Sequence, residues 1–196
     1  MKTIDYYNQY ADEFTQATLN VDMESLYKPF LAELPEYARI LDLGCGSGRD
    51  TLAFKNKGYQ VDAIDYSEVL VERATQLTGI AVQQQSFYEI EVQDIYDGVW
   101  ACASLLHCDR NRLPEVLKGI YNALRRDGVC YMSFKYGTTD RVKDGRAFTD
   151  LDEEQARQSL DQLDGVRVLK QWITVDQRPE RQEKGCNLKT IIFIKI

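Results

Sequence analysis

Short runs of consecutive apolar residues alternate along this chain with stretches whose apolar positions recur every three or four residues. That alternation predicts repeated strand–helix–strand units and a mainly parallel sheet. The first forty residues read as helical and amphipathic, because Tyr6, Tyr7, Tyr10 and Phe14 recur at helical spacing. Pro29 and Pro35 then bracket a short helix that delivers the chain to the sheet. Strands are predicted over 39–43, 60–65, 80–85, 97–104 and 129–134, with helices over 49–56, 67–77 and 113–124 between them. Gly58 is placed to stop the first of these helices and Ser67 to cap the second. Pro114 falls in the first turn of the third, where a missing N–H costs nothing. Residues 135–149 read as a polar loop, 152–163 as a helix, and 166–175 and 188–196 as two closing strands. The segment between those strands is too short for a parallel crossover, so they are predicted antiparallel.

Composition narrows the class. At 196 residues the chain is long enough for one well-cored domain and short for two. Residues 1–35 are read as a helical cap and 36–196 as the core of that single domain. Hydrophobic residues at 44% and charged residues at 28% are ordinary for a soluble protein. No apolar run approaches the roughly 20 residues that span a bilayer, and the N-terminus lacks the features of a secretory signal. A cytoplasmic location is expected. Five cysteines in no CxxC spacing fit free thiols in a reducing compartment, with Cys102 and Cys130 inside apolar runs. The single histidine, His107, gives zinc too few partners, and no metal site is expected. A net charge of −7 disfavours a nucleic-acid partner and favours a small acceptor molecule.

The strongest chemical signal is Ile40-Leu41-Asp42-Leu43-Gly44-Cys45-Gly46-Ser47-Gly48-Arg49-Asp50. An apolar strand runs into three alternate glycines, and a helix follows. Such a loop, here Gly44, Cys45 and Gly46, lets backbone approach a ligand, and the helix N-terminus favours a carboxylate or phosphate. A Rossmann-like α/β fold is implied: seven mostly parallel strands, the last antiparallel, with helices on both faces. The third glycine arrives one place earlier than in the dinucleotide pattern G-x-G-x-x-G. Asp42 stands where a carboxylate can receive an ammonium group, which NAD lacks and S-adenosylmethionine (SAM) carries. Asp65 ends the second strand about 20 residues past the loop, placed for two ribose hydroxyls, with Tyr66 beside it for the adenine face. The lesser alternative for Asp65 is a helix cap or turn residue.

The chain resembles class I SAM-dependent methyltransferases from about residue 36 onward. Gly44-Cys45-Gly46-Ser47-Gly48-Arg49-Asp50-Thr51 is most similar to the small bacterial group related to tellurite-resistance and thiopurine-type enzymes. The resemblance implies that Arg49 lies near the cofactor's carboxylate and that Tyr6-Tyr7-x-x-Tyr10-Ala11-x-x-Phe14 folds over bound SAM. One position departs from the family. Where an aspartate usually accepts from the adenine amino group, this chain reads Gln84-Gln85-Ser86-Phe87, so Ser86 or Gln85 has to substitute, beside Phe87.

Ligands of open α/β sheets bind at the carboxyl ends of strands. The end of the fourth strand, Ala103-Ser104-Leu105-Leu106-His107, is expected beside the sulfonium methyl, with Ser104 on the cofactor side. His107 is the natural general-base candidate, or else a capping or packing residue. This strand end has neither the Asn/Asp-Pro-Pro-aromatic signature of amino-directed nucleic-acid enzymes nor an acidic magnesium cluster, which points to a metal-independent transfer. Acceptor walls are expected from Tyr6 and Tyr10 of the first helix and from loop residues. Those loops offer Lys135, Tyr136, Arg141, Lys143, Arg146 and Phe148, then Asp176, Arg178, Arg181 and Lys184. Cations gathered there in an acidic protein fit an anionic acceptor, or are simply solvated charges. The reading is a methyltransferase acting on a small, anionic or soft-nucleophile acceptor. The alternatives are an enzyme acting on RNA or protein, a non-catalytic SAM-binding module and, most remote, an NAD-dependent oxidoreductase.

Overall fold

The computed structural model describes residues 2–178 and 186–196. Three short helices lead in: α1 (Thr3–Gln9), α2 (Ala11–Thr18) and α3 (Glu24–Leu31). The sheet then alternates with helices as β1 (Arg39–Leu43), α4 (Arg49–Asn56), β2 (Gln60–Asp65), α5 (Glu68–Thr78), β3 (Gln83–Gln84) and β4 (Tyr96–Ala101). It continues through α6 (Leu113–Ala123), β5 (Leu124–Tyr136), β6 (Asp140–Lys143), β7 (Arg146–Leu151), α7 (Glu153–Leu160), β8 (Val166–Val175) and β9 (Asn187–Lys195).

The main sheet runs β3-β2-β1-β4-β5-β9-β8. β1, β2, β3, β4 and β5 are mutually parallel, and β9 runs antiparallel to both β5 and β8. This is the predicted mostly parallel sheet with its last strand reversed. Side chains alternate across it with the period of two that a pleated strand imposes. Ile40, Trp100, Val129, Tyr131 and Ile192 face one side, where α3 and α4 bring Leu26, Tyr27, Phe30 and Phe54. Leu41, Val99, Cys130, Met132 and Phe193 face the other, against Leu113, Val116, Leu117 and Ile120 of α6 and Leu160 of α7. Trp100 and Tyr131 stack with ring centroids 3.8 Å apart, and both are fully buried. Ser67 caps α5 by accepting from the Leu70 N–H, and Gly79 ends that helix in the left-handed region.

Three elements differ from the sequence reading. Residues 135–149 are not a loop: β5 extends to Tyr136, and β6 and β7 form an antiparallel hairpin. Its turn is Asp144-Gly145, both at positive φ (51° and 76°), the two-residue geometry that matches strand twist. β7 pairs with Lys135 and Tyr136, beyond the point where β4 stops, so the hairpin stands over the carboxyl end of the sheet. The third strand shrinks to Gln83–Gln84, both exposed at the sheet edge. The N-terminal helical region is broken at Tyr10 and again before Glu24.

Candidate active site

A cleft of about 500 Å³ opens at the carboxyl ends of β1, β2, β4 and β5, roofed by α1 and α2. Its floor is the glycine loop. Gly44, Gly46 and Gly48 all have positive φ (80°, 56° and 89°). The N–H groups of Gly44 and Cys45 donate to the Ile64 carbonyl at 2.9 and 3.0 Å, tying the loop to β2. Gly44 also passes so close to the β4 end that a Cβ on it would lie 2.4 Å from the Ser104 Cβ. Asp65 braces the same loop: its carboxylate accepts from Gly46 N and from Ser67 N, each at 2.8 Å. Burial raises its pKa, and those backbone donors oppose the rise. Asp65, Tyr66, Ser86, Phe87, Ser104 and Arg49 all line the cleft with Gly44, Cys45 and Gly46. The Ser86 oxygen, however, caps the turn at Phe87–Glu89 by accepting from Tyr88 N.

Asp42 is a correction. It does not line the cleft; it is 2% exposed, behind the loop, where it accepts from the Thr51 hydroxyl at 2.6 Å. Burial, and next the charge of Asp50, push its pKa up to about 8. Strand pleating explains the displacement, because the side chain two residues before the first glycine points to the helix side of β1. The neighbouring carboxylate Asp50, in the first turn of α4, does line the cleft. It accepts from Arg49 Nε at 2.6 Å, Tyr27 O–H at 2.5 Å and Trp100 Nε1 at 2.8 Å. Burial alone would raise its pKa, but Arg49 and these donors hold it below the usual range. The Arg49 guanidinium also reaches the Thr18 carbonyl at 3.3 Å, which links the loop to the end of α2.

Tyr6 and Tyr10 are a second correction. Neither lines the cleft; Thr3, Ile4 and Tyr7 of α1 and Phe14 of α2 do. On a helix that turns 100° per residue, Tyr6 points about 100° away from Tyr7, to the far side of Thr3. Tyr6 packs instead on Tyr10, at 4.8 Å between centroids, and beneath the Arg146 guanidinium at 4.0 Å. The Tyr7 hydroxyl lies 2.8 Å from His107 Nε2, and His107 Nδ1 lies 2.7 Å from the Ala147 carbonyl. A carbonyl only accepts, so Nδ1 carries the proton and Nε2 accepts from Tyr7. Burial, then the charges of Arg146 and Lys135, push the His107 pKa down to about 4, so the ring is neutral.

On the far wall, Lys135 and Arg178 share Asp176, with Lys135 Nζ 2.9 Å from Oδ2 and Arg178 Nε 2.9 Å from Oδ1. Burial works against the Asp176 charge, but the two cations hold its carboxyl well below the ordinary range. Arg146 lines the cleft as well. Tyr136 does not: it is 42% exposed and donates to Glu153 at 3.0 Å. Arg181 and Lys184 lie outside the described residues.

A family described as "Methyltransferase domain" matches residues 40–128, the stretch holding the glycine loop, Asp65 and His107. Over this stretch the chain is similar to SAM-dependent methyltransferases. It is 30% identical over 159 residues to a Bacillus subtilis protein named "Putative methyltransferase YqeM", covering 76% of this chain and 63% of that one. It is 24% identical over 94 residues to Haemophilus influenzae "Probable S-adenosyl-L-methionine-dependent methyltransferase TehB", covering 45% and 33%. The chain thus spans less than two thirds of either relative. In fold it is similar to Burkholderia thailandensis 1,6-didemethyltoxoflavin-N1-methyltransferase, with TM-score 0.78 at 23% identity over 98% of this chain and 84% of that one. Among the described residues no helix is long and apolar enough to cross a membrane.

The cleft fits the cofactor of class I methyltransferases on its own chemistry. Asp65 offers carboxylate oxygens to hydroxyl donors, Tyr66 and Phe87 offer aromatic faces, and Arg49 offers guanidinium N–H groups to a carboxylate. Among the described residues Ser104 Oγ is buried without a hydrogen-bond partner, directly under the glycine loop.

Proposed function

We propose that this chain methylates a small-molecule acceptor, with SAM as donor and S-adenosylhomocysteine as product. The observation that carries the reading is that one cleft joins the Asp65-braced glycine loop to the Tyr7–His107 pair. Asp65 would hold the ribose, Tyr66 and Phe87 the adenine, and Arg49 the amino-acid end of the cofactor. Bound SAM supplies an electrophilic methyl on a sulfonium. The protein's part is to exclude water, align the nucleophile and take up its proton. Tyr7, rather than His107, presents a polar atom to the acceptor. A proton arriving at the Tyr7 oxygen displaces Tyr7's own proton to Nε2 of the neutral His107; burial raises the Tyr7 pKa, and the Arg146 charge beside it opposes that rise without reversing it. The acceptor is read as anionic because Lys135, Arg146 and Arg178 stand together on the wall built by β5, β7 and the end of β8. Residues 1–35 are read as a cap that closes this site over the core at 36–196.

Calorimetry with S-adenosylhomocysteine and NAD tests the assignment. Binding of the first without the second is expected. Binding of NAD alone overturns it.

A further inference from the structure

We propose that a second cavity, behind Arg146, is a binding compartment for an oxyanion, a carboxylate or phosphate ester, carried by the acceptor at the end remote from its methylated atom. The proposal rests on the reading of the main cleft as a methyl-transfer site. This cavity has a volume of about 310 Å³ and shares Lys135, Arg146, Phe148 and Arg178 with the cleft, so one elongated molecule can occupy both. Among the described residues five cations line it, Lys135, Arg141, Lys143, Arg146 and Arg178, against the single carboxylate Asp150. Counting Asp144 and Asp176, which pair with members of this set, five positive charges still face three negative ones.

Arg146 identifies where the anion is missing. Arg141 shows a completed pairing, with Nε and Nη2 on the two Asp150 oxygens at 2.7 and 3.1 Å. The Arg146 side chain is only 12% exposed, yet among the described residues its Nε has no hydrogen-bond partner, and its ion pair with Asp144 is long, 3.4 Å, to a carboxylate 58% exposed. Its guanidinium lies over the rings of Tyr6 (4.0 Å) and Phe148 (5.4 Å), which fix its plane. An enclosed guanidinium without a matched anion is unfavourable, whereas a planar fork held by rings is preorganised for an oxyanion. Among the described residues Arg146 has no such partner. A ligand can supply one.

The test uses the full chain, with and without saturating S-adenosylhomocysteine, titrated with malonate or inorganic phosphate at constant ionic strength. Calorimetry and the thermal midpoint are the readouts. Millimolar binding of at least one anion is expected, weakened at least tenfold in Arg146→Gln and several-fold in Lys143→Glu, which sits on the exposed hairpin and leaves the core untouched. Arg125→Gln, whose partner Asp97 lies at the amino end of β4, retains wild-type anion affinity. Preference for malonate or for phosphate identifies the anion class. Equal binding to wild type and both hairpin variants, or no binding by either anion, overturns the proposal. Loss of S-adenosylhomocysteine binding alone would strike the reading of the main cleft instead, because the anion titration is also run without it.

Discussion

Gly44→Ala isolates the tightest point of the glycine loop. Two costs add. Gly44 has φ +80°, where a Cβ brings roughly 1–2 kcal/mol of left-handed strain. The new Cβ would also stand 2.4 Å from the Ser104 Cβ and 3.1 Å from its Oγ, an overlap of the kind that costs about 1–3 kcal/mol in a packed interior. The sum is roughly 2–5 kcal/mol, which at about 2–4 °C per kcal/mol lowers the thermal midpoint by roughly 4–20 °C. Ser104→Gly separates the two terms, since it removes the overlap and leaves the strain. The double variant should therefore recover about 1–3 kcal/mol relative to the sum of the single changes. Urea unfolding followed by the fluorescence of buried Trp100 measures the stabilities, and calorimetry with S-adenosylhomocysteine measures the loop's ligand affinity. Binding should fall at least about tenfold in Gly44→Ala, because the loop that forms the floor of the cleft is displaced. A Gly44→Ala protein within about 0.5 kcal/mol of wild type refutes the close-approach argument. So does a double variant that is merely additive.

Asp65→Asn should weaken S-adenosylhomocysteine binding by about 10–100-fold, as expected when charge-assisted hydrogen bonds are lost, whereas Asp42→Asn should change it less than about fivefold. Equal losses would return Asp42 to the cleft. The folded pKa of Asp42 lies above its unfolded value, so its contribution to stability is fully present below about pH 4 and lost as pH rises through about 8. The stability advantage of Asp42→Asn over wild type should accordingly grow between pH 5 and 9, and a pH-independent difference contradicts this. Tyr7→Phe keeps the ring packing on Phe14 and removes the hydroxyl at His107. Release of S-adenosylhomocysteine on a panel of small carboxylate- and phosphate-bearing acceptors should show kcat about 100-fold lower, with the product's Kd within about tenfold. Unchanged kcat confines Tyr7 to packing.

Much of this molecule was legible along the chain because its determinants are local. Apolar runs bounded by Gly58, Ser67 and Pro114 fixed the strand–helix order, and the glycine spacing with Asp65 marked the floor of the cleft. The β6–β7 hairpin was also legible, since Asp144-Gly145 is a two-residue turn signal flanked by apolar Val142 and Phe148, but a high density of charge disguised it as a loop. Other features had no local signature. Which tyrosine of α1 faces the cleft depends on how that helix is rotated against the hairpin, and Thr3 and Tyr7 were selected by contacts to Ala147 and His107, more than a hundred residues or nearly so along the chain. Asp50 rather than Asp42 lines the cleft, because pleating turned one carboxyl behind the loop while Tyr27 and Trp100 drew the other to the cleft edge. Hydrophobic periodicity and backbone stereochemistry act over a few residues, so the sequence by itself determined the elements and the loop. The electrostatics of His107, Arg146 and Asp176 arise from burial and from charges brought together by distant strands, and only the tertiary structure decided those.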